Sequence, residues 1–214
     1  MVGNVMATKK IKNIIFDLGG VIINLDTNAT IKAFVDLGIK DFENIYSQLS
    51  QTNLFDQFDK GLITENYFFN SIKNQFDLRK PLHELERSWN AMLLDFPKHR
   101  LDSLMKYKDS HRTFLLSNTN ETHIREFHKT LHQNHGMRDL DQFFEKAYFS
   151  CRVNMRKPDK EIFELVLKQN HLDPSETLFI DDTIHHVEGA RRVGLQSVLL
   201  KKGEEFEDVL KKLL

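Results

Sequence analysis

Four short apolar runs punctuate the chain, and each stops at a small or charged residue. Residues 11–16 end before Asp17, residues 113–116 before Ser117-Asn118, residues 177–180 before Asp181-Asp182, and residues 197–200 before Lys201-Lys202. Runs of this kind, without polar alternation, predict strands buried on both faces, the usual condition of a parallel sheet. Helical patterns stand between them, among them residues 187–194, closed by Gly194. The second half of the chain thus alternates strand and helix, which predicts an α/β fold on a doubly wound parallel sheet.

Between residues 27 and 95 the texture changes. No β-rich run occurs, and apolar residues recur at helical spacing: Phe34, Phe42, Tyr46 and Leu49, then Phe55 and Phe58, then Tyr67, Phe68, Ile72 and Phe76. This pattern predicts a helical bundle over 27–95, inserted into an α/β core of 8–26 and 96–214, with both junctions at strand ends. Gly61 and Pro81 break its helices and Pro97 marks the return. Residues 132–156 are less regular, with a short helix expected at 141–144 and a strand at 147–151.

Asp17 closes the first run and is followed by Leu18-Gly19-Gly20-Val21. Such a strand delivers one carboxylate to a sheet edge, where α/β enzymes place their chemistry, although an Asp opening a glycine turn reads as well for this segment alone. If the strand ends lie side by side, one crevice receives Asp17, Ser117 with Asn118, and Asp181 with Asp182. The segment Met155-Arg156-Lys157-Pro158-Asp159 adds a cation, because Pro158 suits the first position of a helix and leaves Lys157 at its mouth. A nucleophilic carboxylate, a hydroxyl and amide pair, a lysine and an acidic pair suited to a hard divalent ion together fit phosphoryl transfer. Singly, each is an ordinary turn, cap or helix start; their order and placement carry the argument.

Charge narrows the partners. With 30 basic and 31 acidic residues, the chain offers no support for an extended nucleic-acid or anionic-membrane surface, so small partners are expected. Cys151 is the single cysteine, which excludes an intramolecular disulfide. No signal-peptide pattern or membrane-length apolar stretch is present, and the expectation is a cytoplasmic protein. The sequence leaves the oligomeric state open.

Four segments resemble the motifs of the haloacid dehalogenase superfamily of phosphohydrolases: Phe16-Asp17-Leu18-Gly19-Gly20-Val21, Leu116-Ser117-Asn118, Lys157-Pro158 and Ile180-Asp181-Asp182. The helical insert resembles that family's type 1 cap. The resemblance implies a Rossmann-like core and an Mg²⁺-dependent phosphatase acting on a small phosphorylated metabolite through an aspartyl phosphate on Asp17. It also implies that Asp17, the Gly19 carbonyl and Asp182 hold the Mg²⁺, with Asp181 direct or through water, while Ser117, Asn118 and Lys157 hold the phosphoryl oxygens.

One position departs from the pattern. Most phosphatases of the family carry a second Asp two residues after the nucleophile as general acid and base, and here that residue is Gly19. A positioned proton donor is worth about 10²–10⁴ in rate. Three resolutions are open: a binding protein with a silent site, a substitute donor such as Asp26 or a residue of the helical insert, or a leaving group that needs little help, such as the anomeric oxygen of a sugar 1-phosphate. Asp-Leu-Gly with Asp26 further resembles a branch that includes glucose-1-phosphate phosphatases, although His186 stands where that branch has Asn. Carbon–halogen hydrolysis by Asp17 is the remaining alternative, and it leaves Asp181-Asp182 without a role.

His123, His128, His132 and His135 invite a metal reading, but zinc needs more than a helical pair, and they are set aside. Cys151 is expected as a small buried residue at a strand end. Trp89 is expected both to pack the insert and to face the crevice.

Overall fold

The computed structural model describes residues 10–44 and 53–214. Tyr46 and Leu49 fall outside the described residues. In chain order the elements are β1 (Asn13–Phe16), α1 (Thr27–Asp36), α2 (Asn53–Asp59), α3 (Glu65–Gln75), α4 (Leu82–Asn90), α5 (Lys98–Ser110), β2 (Arg112–Ser117) and α6 (Glu121–His135). A 3₁₀ turn at Asp141–Phe143 leads to β3 (Lys146–Phe149), α7 (Ser150–Val153), α8 (Lys160–Asn170), β4 (Thr177–Asp181), α9 (Ile184–Arg192), β5 (Gln196–Leu199) and α10 (Phe206–Leu213).

The five strands form one parallel sheet in the order β3-β2-β1-β4-β5. The chain leaves central β1 toward one edge and later returns to its other side, so the crevice of a doubly wound fold opens above β1 and β4. The period of two sends Ile14 and Phe16 to one face and Ile15 to the other. On the first face they join Leu104 of α5, Phe127 of α6 and Phe206 of α10; on the second, Ile15 joins Phe163 of α8 and Ala190 of α9. Each isoleucine, leucine or phenylalanine among them, removed from water, contributes about 1.5–3 kcal/mol. The register places Phe16 beside Leu115 and Ile180, which brings the residues just beyond them to one rim.

Helices α1–α4 pack around a separate apolar cluster that includes Phe34, Phe42, Phe55, Phe58, Phe68, Ile72, Leu85 and Trp89. Phe58 stacks on Phe68 with ring centroids 3.9 Å apart. Thr64 caps α3 by accepting the Tyr67 N–H, and Pro81 stands just before α4, where its missing N–H breaks no helical hydrogen bond. The two linkers to the sheet pair with each other: Asn24 N–H donates to Asp95 O at 2.9 Å and Asp26 N–H to Met92 O at 2.9 Å.

Three expectations need correction. The return at Pro97 leads into helix α5, not a strand. The strand expected to reach Cys151 stops at Phe149, because the Ser150 hydroxyl accepts the Thr119 N–H at 2.8 Å and donates to backbone oxygens, turning the chain into α7. Cys151 is accordingly half-buried on that short helix. Pro158 does not open a helix: Asn118 clamps both backbone groups of Lys157 at 2.9 Å, which holds 157–158 in a turn, and α8 starts at Lys160.

Candidate active site

At the rim, Lys157 is fully buried and its ammonium spans two carboxylates, 2.6 Å from Asp17 Oδ1 and 2.6 Å from Asp181 Oδ2, with a third hydrogen bond to Leu116 O at 2.9 Å. Burial alone would discharge the lysine, but the two carboxylates overcome it and hold its pKa above the usual value. Asp181 is opposed by burial too, yet Lys157 and His186 keep its carboxyl below the ordinary range. Its oxygens are heavily used: Oδ1 accepts the Thr183 N–H at 2.8 Å, and His186 Nδ1 lies 3.0 and 3.1 Å from the two oxygens. Asp17 differs, since burial and the neighbouring Asp181 and Asp182 outweigh Lys157 and push it up to about 7.

Asp17, Asp181 and Asp182 offer ligand atoms within 4.8 Å of one another, the one such acidic, histidine or cysteine cluster found among the described residues. Three carboxylates share a single lysine, and burial together with the Asp181 charge raises Asp182 as well as Asp17. Excess negative charge on hard oxygen donors fits a divalent cation. Gly20 makes the approach possible: its φ is +71°, and any Cβ there would run into the Asp182 carboxylate. Ile23 N–H goes to Leu18 O at 3.0 Å and Gly20 N–H to Ile23 O at 2.9 Å, so this ladder bypasses the Gly19 carbonyl.

Ser117 ends β2 with a buried hydroxyl that makes no hydrogen bond to the described residues. The Asn118 side chain is committed to Lys157, leaving its backbone to meet a ligand. Beside them opens a cavity of about 250 Å³ lined by Leu18, Gly19, Ser117 and Asn118 from the sheet rim and by Phe55, Asp59 and Trp89 from the helical layer. His123 and Arg156 complete its polar wall. Asp26 is placed elsewhere, as the cap of α1, where it accepts the Asn28 N–H at 3.0 Å.

The haloacid dehalogenase-like hydrolase pattern matches residues 11–194. The chain belongs to that family. A D-ribitol-5-phosphate phosphatase of Bacteroides thetaiotaomicron is 28% identical over 95% of this chain and 98% of its own length. A sesquiterpene phosphatase of Aspergillus oryzae is 29% identical over 86% of this chain and 87% of its own. Among solved structures, the magnesium complex of a haloacid dehalogenase family enzyme from B. thetaiotaomicron superposes with a TM-score of 0.87 at 33% identity, covering 95% of this chain and 100% of that one. This haloacid dehalogenase-like hydrolase is thus a phosphatase, with Mg²⁺ as its cofactor, and no described helix is long and apolar enough to cross a membrane.

For this hydrolase the sequence did not single out Asp59, offered Arg156 only as a neighbour of Lys157, and offered His123 only as a metal ligand to be set aside. His123 is buried, its ring stacks on Trp89 with centroids 5.4 Å apart, and burial drives its pKa down to about 3, so it stays neutral. Its Nδ1 lies 2.8 Å from Asn90 Oδ1, which can only accept, so Nδ1 carries the proton and Nε2 is left as an acceptor. A hint lay in the pattern, because His123 follows Asn120 at the start of a helix leaving a strand end, the usual position of a crevice residue.

Proposed function

We propose that this protein is an Mg²⁺-dependent phosphomonoesterase that forms an aspartyl phosphate on Asp17 and acts on a phosphorylated sugar or sugar alcohol. The observation that carries the reading is the asymmetry of Asp17: Lys157 grips Oδ1, while Oδ2 has no hydrogen-bond partner among the described residues and is free to attack. In the first step the Oδ2–phosphorus bond forms and the ester oxygen leaves; in the second, water takes the phosphoryl group from Asp17. Mg²⁺, when bound by Asp17, the Gly19 carbonyl and Asp182, supplies the positive charge that lets a carboxylate and a phosphate meet. Asp181, its oxygens already engaged by protein donors, would act through water.

Lys157 holds Asp17 in place and, with Ser117 and the Asn118 backbone, faces the phosphoryl oxygens as charge shifts in the transition state. The helical unit of residues 27–95 would serve as the cap that encloses the substrate's carbon skeleton. The ribitol-5-phosphate phosphatase supports a polyol phosphate, and the missing acid at Gly19 supports a sugar 1-phosphate, so both belong in the first panel. A half-buried lone cysteine, its thiol pushed up to about 12 by burial, fits a cytoplasmic setting.

The test is phosphate release from ribitol 5-phosphate, glucose 1-phosphate, glucose 6-phosphate and an aryl phosphate, with Asp17→Asn as blank. The expected result is turnover abolished by EDTA, restored by Mg²⁺ and lower in the blank by on the order of 10⁴–10⁶, the usual cost of removing a covalent nucleophile. Absence of turnover above the blank on every ester would leave only ligand binding at the site.

A further inference from the structure

The position that the family fills with an acid carries no side chain here: it is Gly19, and a Cβ added to it would meet only the tip of the exposed Leu25 side chain, Cδ1 at 2.7 Å. The carboxyl nearest in function comes from the opposite wall. Asp59 is the last residue of α2 and lines the same cavity as Leu18, Gly19, Ser117 and Asn118. We propose that Asp59 is the general acid and base of this enzyme, giving a proton to the leaving oxygen and taking one from the attacking water.

Although Asp59 belongs to the helical layer, it is tied to the core. The Ser150 hydroxyl lies 2.6 Å from Asp59 O and 2.9 Å from Thr119 O, its one proton serving one of them at a time, and so bridges the end of α2 to the loop that follows β2. Asn154 Nδ2 donates to Lys60 O at 2.8 Å. Gly61, at φ +66°, packs its backbone against Cys151 O where any Cβ would collide. These contacts fix the backbone that carries the Asp59 carboxyl against the core.

The surroundings suit a proton carrier. Burial pushes Asp59 up to about 6, against the pull of Arg156. Arg156 Nη1 lies 3.5 Å from Asp59 Oδ2 and 3.5 Å from Asp56 Oδ1, so one guanidinium is shared by two carboxylates. Among the described residues the Arg156 Nε is buried without a hydrogen-bond partner, a donor left for a ligand, while the Asn120 amide, like Arg156, draws the Asp59 carboxyl down. Lys60 pairs with Asp56 at 3.0 Å and Asp159 at 3.6 Å. Neutral His123, the other titratable group on this wall, has no proton on Nε2 to give.

The step balances. As the Asp17 Oδ2–phosphorus bond forms and the phosphorus–ester oxygen bond breaks, the Asp59 proton moves to the departing oxygen, which leaves as an alcohol. The Asp59 carboxylate then accepts a proton from the water whose oxygen attacks phosphorus, and the break from Asp17 releases phosphate with both carboxyls restored.

This inference rests on the phosphomonoesterase reading, and its test separates the two. The kcat of wild type, Asp59→Asn and Asp59→Glu is measured on ribitol 5-phosphate and on p-nitrophenyl phosphate, whose leaving group departs without a proton. In Asp59→Asn the alkyl-to-aryl ratio of kcat should fall about 10²-fold, and Asp59→Glu should recover part of it. On the alkyl ester, wild-type kcat/KM should fall as pH rises above about 6, a limb that Asp59→Asn lacks. If both esters slow in step, or neither slows, Asp59 is a positioning residue or a bystander and the assignment fails. If wild type hydrolyses neither ester more than Asp17→Asn does, the phosphomonoesterase reading fails first and takes this one with it.

Discussion

The sheet rim and the helical layer face each other across one cavity and are stabilised by opposite means. The rim buries Lys157 with Asp17 and Asp181, charges whose desolvation is offset by one another and by the hydrogen bonds around them. The layer is built on stacked phenylalanines, with Phe34 on Phe42 at 4.3 Å and Phe58 on Phe68 at 3.9 Å. Geometry at the rim is therefore set by directional bonds that fail together, while the layer holds its shape by packing that degrades gradually. In the proposed reaction chemistry belongs to the first and enclosure to the second, and Asp59 is the point where the layer would reach into the chemistry.

The sharpest way to break the contrast is Lys157→Met. Two buried carboxylates lose their shared cation, so stability should fall by about 3–5 kcal/mol and kcat by about 10²–10³. In metal-free protein both carboxyls then become easier to protonate in the folded state, so the sign of the pH dependence is fixed: the folded form binds more protons, and the variant should regain stability as pH falls from 8 to 6. Urea midpoints across that range decide it, and a flat difference from wild type would mean that the lysine is not the counterion.

On the layer's side, Phe68→Ala removes the ring packed against Phe55, Phe58 and Trp89. The expected cost is about 3–5 kcal/mol, comparable in size but different in kind. No charge is stranded, so this loss should be insensitive to pH between 6 and 8. A smaller effect is expected at Asn118→Ala, which removes both bonds that clamp the Lys157 backbone. It should cost about 10–10² in kcat, as loss of an orienting partner does, with little change in the affinity for inorganic phosphate as competitive inhibitor.

How much of this the chain disclosed follows from the same contrast. Each strand end was legible because an unbroken apolar run cannot end in a carboxylate or hydroxyl without placing it at the rim, and Asp17, Ser117 and Asp181 came from that rule alone. The rule says nothing about which way a polar side chain turns. Asn118 stood in the right place, yet its amide serves Lys157. Lys157-Pro158 read as a helix start because the clamp holding it in a turn comes from a residue 39 positions away. Asp59 sits in Phe-Asp-Gln-Phe-Asp-Lys-Gly, where the aromatic spacing announces a helix and the acidic residues look like its wet side. What presses this end onto the core is the contact of Gly61 with Cys151 and the bonds from Ser150 and Asn154, all from residues about 90 positions away. Asp26, equally acidic and nearer in sequence to Asp17, ends as a helix cap.

The subtlest test concerns whether the wall between the two regions is neutral, as His123 implies. Its folded pKa is depressed from 6.5 to about 3 by burial, so the unfolded chain takes a proton below 6.5 that the folded chain refuses. Stability from the neutral imidazole is complete above that pH and is lost as pH falls toward 3, at about 1.4 kcal/mol per pH unit. Asp59 works in the other direction, since its folded pKa is raised and acid favours its folded form, so the wild-type profile alone mixes the two. His123→Gln keeps an amide that can donate to Asn90 and removes only the titration. Between pH 6.5 and 5, the stability difference between wild type and His123→Gln should move against wild type by about 2 kcal/mol. A difference that stays constant over that range would mean that His123 accepts its proton in the folded protein, and that the wall carries a positive charge beside Asp59.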